Sequence, residues 1–230
     1  MDAMYQHERR ILDGLKAQGY SPKIVYDIGA STGIWTEVIS TVLPEAEYYL
    51  FEPLAETLEI YKRDLQPRLH RLPRARLFPV ALGDTSGYAE MFVAVDGYGS
   101  SLNDRGDIPE VTGTVTVPKF RLDDLAIQNN LPAPEVIKID CQGVEDTILR
   151  GAVESLRSAK VLFLETWFVR GYGPKTPLLG EIIELLRSHS FSLVEVGERF
   201  YDQNHRLYSI DAFFFAESLL DTVSLPESNG

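Results

Sequence analysis

The sequence predicts an α/β fold: a mainly parallel sheet with helices on both faces and an antiparallel hairpin of strands at its C-terminal end. Three observations predict it. Short apolar runs such as Ile24–Ile28 and Val136–Ile139 alternate along the chain with segments of helical periodicity. The first of these runs passes through a turn bracketed by Gly29 and Gly33 directly into a helix. The last two, Phe191–Val196 and Tyr208–Ala216, have only a polar turn between them, so they must pair antiparallel.

Taken in order, an amphipathic helix is expected over Asp2–Ala17, with Tyr5, Ile11, Leu12 and Leu15 on the buried side. Gly19 stops it, and Pro22 closes an N-terminal segment, 1–21, before the first strand at Ile24–Ile28. A helix over Gly33–Leu43 ends before Pro44; Tyr48–Phe51 is the second strand and Leu54–Leu65 its helix. Leu77–Ala81 is the third strand, which Pro79 moves to a sheet edge. Residues 84–118 break the rhythm and read as an insertion or short hairpin. Tyr88–Val95 and Thr112–Val117 alternate like strands around a Gly/Ser/Asp-rich loop, Asp96–Pro109. Leu122–Asn130 is a short helix, Val136–Ile139 strand four, Val144–Arg157 a helix and Val161–Leu164 strand five. A helix from Pro177 to Ser188 precedes the two final strands. With no repeat, low-complexity tract or linker, 230 residues are expected to form one domain.

Composition narrows the partners. A net charge of −12 disfavours a nucleic-acid backbone or an anionic membrane, both of which need basic surface. Arg63, Arg68, Arg71, Arg74 and Arg76 are a local exception in a Pro-containing connection; they read as a solvated loop, or alternatively as a docking patch for an anionic substrate or acidic partner. Cys141 is the single cysteine, so no internal disulfide forms. Without a signal core or a run of about 18 apolar residues, a soluble, cytoplasmic protein is expected.

The chemistry concentrates in Val25–Thr36, VYDIGASTGIWT, followed by Phe51-Glu52-Pro53. Glycines let backbone approach a ligand closely, and Glu52, 25 positions after Asp27, can accept hydrogen bonds from two ribose hydroxyls. Asp27, Glu52, Asp140 and Glu165 each end an expected strand, where ligands of such sheets sit. An acidic rim of this kind suits S-adenosylmethionine, with its sulfonium and ammonium, better than a pyrophosphate.

DIGASTG, FEP, VALGD, RLDDL and above all KIDCQGVEDTILRGA resemble class I S-adenosylmethionine-dependent methyltransferases of the FkbM type, over residues 24 to 215. The resemblance implies their Rossmann-like sheet and transfer of a methyl group to a hydroxyl of a carbohydrate or natural product, with a small-molecule or glycan acceptor. It implies that Asp27, Gly29, Ala30, Thr32 and Gly33 surround the methionine part, that Glu52 holds the ribose, and that main chain at Val80 and Ala81 borders the adenine. Gln142 departs from the Glu that relatives often carry.

Asp140 is expected beside the transferable methyl, either as general base or orienter of a hydroxyl, or as a cap or partner of the cofactor's ammonium. Glu165 is the second catalytic candidate; with Trp167, Phe168 and Tyr172 it would offer rings and a carboxylate to a sugar, although Trp167 and Phe168 equally suit packing. Ser100, Ser101, Gln142 and Trp167 are the candidate acceptor contacts, with Asp96–Pro109 as a mobile lid. Glu145, Asp123 and Asp124 read as helix-start residues; the two aspartates could alternatively join Asp140 around a divalent cation, and no metal is expected. Competing functions are a nicotinamide-dependent short-chain-type oxidoreductase, disfavoured because no Tyr-x-x-x-Lys pair occurs, and a non-catalytic S-adenosylmethionine-binding protein.

Overall fold

The computed structural model describes residues 4–104 and 111–223. In chain order the first half comprises α1 (Gln6–Ala17), β1 (Ile24–Ile28), α2 (Ile34–Val42), β2 (Glu47–Phe51), α3 (Glu59–Arg71), β3 (Ala75–Phe78), β4 (Ala81–Leu82) and β5 (Gly87–Ala94). The second half comprises β6 (Val111–Phe120), α4 (Leu122–Gln128), β7 (Val136–Ile139), α5 (Glu145–Arg150), α6 (Val153–Ser158), β8 (Val161–Trp167), α7 (Leu179–Arg187), β9 (Phe191–Tyr201), β10 (Leu207–Ala216) and α8 (Glu217–Leu220).

Seven strands form the main sheet in the order β3-β2-β1-β7-β8-β10-β9. The first five are parallel, and β10 runs antiparallel to both β8 and β9. The chain builds outward from β1 to β3 and then returns to place β7 on the other side of β1, so the order reverses between β1 and β7. That is where open α/β sheets leave a crevice.

Side-chain alternation splits the core into two layers. On one face Tyr26, Phe51, Ile137, Leu162 and Phe214 pack with Leu149 of α5 and Leu186 of α7. On the other Val25, Leu50, Val136, Phe163 and Phe213 pack with Leu12 of α1, Ile39 of α2 and Leu65 of α3. The consecutive Phe213, Phe214 and Phe215 are all buried because both faces are covered. No helix among the described residues is long and apolar enough to cross a membrane.

Several expectations change. The first helix begins at Gln6 after a turn at Met4 and Tyr5; Asp2 lies outside the described residues. The third strand divides at Pro79, which cannot donate to a ladder: Ala75–Phe78 forms the sheet edge, while Ala81–Leu82 joins a separate sheet of order β4-β6-β5. In that sheet β5 and β6 are antiparallel partners.

The helix expected at Leu54–Leu65 is instead Glu59–Arg71, because Glu52 captures the Leu54 N–H and turns hold residues 53–57. Three of the five arginines therefore lie on a helix rather than in a loop. Arg68 and Arg71 both reach Glu37 of α2, Arg63 pairs with Asp64, Arg74 with Glu45, and Arg76 lies over the rings of Tyr49 and Phe78. Partners within the fold engage all five.

The helix expected over Val144–Arg157 breaks into α5 and α6 at Gly151, where a Cβ would come 2.0 Å from the carbonyl oxygen of Gly83. Asp123, in the first turn of α4, stabilises the restart. Its carboxylate accepts from the N–H of Glu154 and of Ser155 and from the Ser155 hydroxyl.

Candidate active site

A cavity of about 400 Å³ opens at the carboxyl ends of β1, β2 and β7, at the reversal of strand order. The turn after β1 forms its base. Gly29 has φ +74° and lies so close to the next crossover that a Cβ would meet the Asp140 carbonyl oxygen at 1.9 Å, so no other residue fits. The N–H groups of Gly29 and Ala30 both donate to the Phe51 carbonyl, which ties the turn to β2.

Glu52 follows β2 and is buried at the cavity wall. Its two oxygens accept from the backbone N–H of Ser31 at 2.8 Å and of Leu54 at 3.0 Å. Each oxygen keeps a lone pair for a ligand hydroxyl. Burial pushes the carboxyl up to about 7, against the pull of those two N–H groups. Val80, Ala81, Leu82, Met91 and Ile148 add apolar side chains to the lining. A carboxylate, a close-approach glycine turn and an apolar lining together fit an adenosine-bearing group.

Beyond β7 the chain brings three polar groups together. Gln142, in the left-handed region at φ +57°, donates from one amide nitrogen to Asp140 Oδ1 at 2.8 Å and to Glu165 Oε2 at 2.9 Å. Asp140 and Gln142 line the cavity. Glu165 does not: it lies within β8, which continues to Trp167, instead of following it, and Ser209 donates to its other oxygen. Burial, then the neighbouring Asp140 charge, raises the Glu165 carboxyl well above the usual range. Burial likewise raises Glu145 to about 7, while Glu145 accepts from the Cys141 and Gly143 N–H groups. Glu145 is thus wedged under the turn rather than simply placed at a helix start.

Of the residues expected to contact ligands, Gly29, Ala30, Thr32, Glu52, Ala81, Ser100, Asp140 and Gln142 line the cavity, whereas Asp27, Gly33, Ser101, Glu165 and Trp167 do not. Asp27 is fully buried behind the turn, where the Thr36 hydroxyl donates to it at 2.6 Å. Gly33 faces Leu65 of α3. Trp167 is 2% exposed, packed against Tyr172 and Tyr208 with its indole N–H directed to Glu145, so it supports the site and offers no surface to an acceptor.

The Ser100 hydroxyl donates to the Gly97 carbonyl, and the Ser101 hydroxyl to the Gln142 carbonyl, so both are spent inside the fold. Ser101 and Asn103, which donates to the Gly143 carbonyl, tie the loop after β5 to the Asp140–Gly143 turn. The remainder of the expected lid, Arg105–Pro109, lies outside the described residues. Asp123 is committed to α6, and among the described residues no cluster of His, Cys, Asp and Glu could hold a metal ion.

Among the cavity residues that the sequence reading did not single out as ligand contacts are Tyr5 and Lys138. Tyr5 precedes α1 and lines the cavity from the N-terminal side. Lys138 is buried in β7 and reaches the Gly29 carbonyl at 2.8 Å, Asp27 at 3.2 Å and Asp140 at 3.6 Å. Burial works to lower its pKa, but the Asp27 and Asp140 charges prevail and raise it, so it stays charged. The signal for it was a lysine inside the apolar strand Val-Ile-Lys-Ile.

A family model described as a methyltransferase FkbM domain matches residues 27–193. The chain is 27% identical over 184 residues to the 2-O-methyltransferase NoeI of Sinorhizobium fredii, covering 74% of this chain and 73% of that protein. It is 24% identical over 176 residues to the hexuronic acid methyltransferase AglP of Haloferax volcanii, covering 76% and 68%. Among solved structures, methyltransferase FkbM from Methylobacillus flagellatus aligns with a TM-score of 0.52 at 20% identity, over 85% of this chain and 43% of that longer one. Magnesium protoporphyrin IX methyltransferase from Synechocystis, with S-adenosylmethionine bound, aligns with a TM-score of 0.50 at 13% identity, over 92% and 79%, which is a likeness of fold.

Proposed function

Because the chain belongs to the FkbM methyltransferase family, we propose that it transfers a methyl group from S-adenosylmethionine to a hydroxyl of a carbohydrate. The observation that carries the cofactor half is Glu52, held by two backbone N–H groups and facing the cavity beside the Gly29 turn. The names of NoeI and AglP, a 2-O-methyltransferase and a hexuronic acid methyltransferase, support the acceptor half.

When bound, S-adenosylmethionine supplies an electrophilic methyl on a sulfonium. Glu52 would accept from its ribose hydroxyls, the Gly29–Thr32 turn would hold its amino-acid end, and main chain at Val80 and Ala81 would border its base. Asp140 faces the acceptor. It would orient the incoming hydroxyl and accept its proton. Gln142 fixes Asp140 through its amide N–H. Glu165 stands outside the cavity wall, its carboxyl raised by burial, and accepts from Gln142, so it supports Gln142 and leaves the base to Asp140.

The test is mass-spectrometric detection of methylated product and S-adenosylhomocysteine from a panel of p-nitrophenyl hexosides and hexuronides. Asp140→Asn should cut turnover at least about 100-fold with little change in S-adenosylhomocysteine affinity. Thermal stabilisation by NAD but not by S-adenosylmethionine or S-adenosylhomocysteine would overturn the cofactor assignment. Wild-type turnover in Asp140→Asn would overturn the base.

A further inference from the structure

We propose that Lys138 is a specificity-determining residue that sets how strongly the cavity prefers a positively charged adenosyl ligand over its neutral counterpart. This rests on the S-adenosylmethionine reading. Among the described residues lining the cavity, Lys138 carries the only cationic side chain, while Glu52 and Asp140 carry carboxyls.

The ammonium donates to the Gly29 carbonyl at 2.8 Å and stands 3.2 Å from an Asp27 oxygen and 3.6 Å from an Asp140 oxygen, so it is held in place between two carboxylates. From that fixed position Lys138 acts on a ligand by its charge, as well as by fixing the Gly29 turn against Asp140. Asp27 opposes that charge from behind the turn, fully buried and outside the cavity wall. Tyr5 from the N-terminal turn, Cys141 from the β7 exit, Glu8 of α1, Glu52 after β2 and Asp211 of β10 also interact electrostatically with the ammonium.

Methyl donor and demethylated product differ by one positive charge, because a sulfonium becomes a thioether. A cavity walled by carboxyls alone would favour the donor further; a fixed cation in the same wall reduces that preference and keeps the product competitive. Removing the cation and removing its buried counter-ion must then shift the preference in opposite directions. A purely structural role cannot do this, since loosening the turn weakens both ligands alike.

The experiment is calorimetric titration of the wild type, Lys138→Met, Lys138→Arg and Asp27→Asn with S-adenosylmethionine and with S-adenosylhomocysteine. The ratio of the product Kd to the donor Kd should rise about tenfold in Lys138→Met and fall about tenfold in Asp27→Asn, as expected for a unit charge near the ligand in a partly desolvated site. Lys138→Arg should keep the wild-type ratio. Should Lys138→Met be too unstable to purify, because it strands a buried Asp27, the Lys138→Met/Asp27→Asn double variant removes both charges, and its ratio compared with that of Asp27→Asn supplies the Lys138 arm of the test. Ratios unchanged in these variants, with both affinities moving together, would overturn the role of Lys138. A wild type that binds neither ligand would overturn the cofactor reading and this proposal with it.

Discussion

Replacing Glu52 by Gln removes one charge and almost no volume, so its effect is set by the groups that the carboxylate touches. The carboxylate offers an oxygen to Ser31 N–H and another to Leu54 N–H. An amide offers one oxygen and one NH2, so one of these N–H groups faces a donor, and one ligand hydroxyl loses its charged acceptor. Hydrogen bonds to charged groups contribute about 1.5–3 kcal/mol, so the Kd for S-adenosylhomocysteine should weaken roughly 10- to 150-fold. The pH profile supplies a second signature. Burial raises the Glu52 carboxyl to about 7 in the free protein. If the ionised form binds, wild-type affinity climbs with pH, approaching tenfold per unit well below about 7, and levels off above it. The Gln variant has nothing to titrate there and should be flat. Isothermal titration across this range in both proteins, with circular dichroism to verify folding, decides the matter. A Gln variant with wild-type affinity at about pH 8, or a wild type with no pH dependence, would refute the reasoning.

Asp123→Ala leaves the N–H groups of Glu154 and Ser155 without their acceptor and should cost about 2–4 kcal/mol in urea unfolding, with S-adenosylhomocysteine affinity unchanged. A loss under about 1 kcal/mol would contradict its capping of α6. Burial raises the carboxyls of Glu52 and Glu145 to about 7 and that of Asp211 to about 8, so the folded state holds their protons more tightly than the unfolded chain. Their stabilisation is full below the ordinary carboxylate pKa of about 4 and is lost as pH rises through 7 to 8. The Tm of the ligand-free protein should therefore fall from about pH 5 to about pH 8 in differential scanning calorimetry, and a rising Tm would show the assignment wrong.

Much of the sheet was legible because strand signals are local. Ile24–Ile28 and Val136–Ile139 coincide with the observed strands, and the antiparallel C-terminal pair follows from a polar turn too short for a crossover. What misled were features whose partners are distant in sequence. Nothing near Gly151 announces the Gly83 carbonyl that packs against it where the helix divides, and nothing near Leu54 shows that Glu52 will take its N–H. The site divides the same way. Glu52, Gly29 and Asp140, expected at strand ends, do line the cavity, whereas burial removes others from it. Asp27 and Glu165 have the right residue type yet face away from the cavity, while Lys138 enters it because its long side chain carries charge from a buried strand to the sheet's end.

The position of β7 beside β1 also sets an order of events during synthesis. Val25 pairs with Val136, so the central strand waits for a neighbour made roughly 110 residues later. Until then a nascent chain can assemble β1, β2 and β3, but one edge of β1 stays open and apolar, a stage at which aggregation competes with folding. The Gly29 turn, whose lysine anchor sits on β7 and which abuts Asp140, stays unsupported through the same interval. Capacity for the adenosyl ligand thus arrives late and all at once, and a chain stalled before β7 holds the glycine turn without a working pocket.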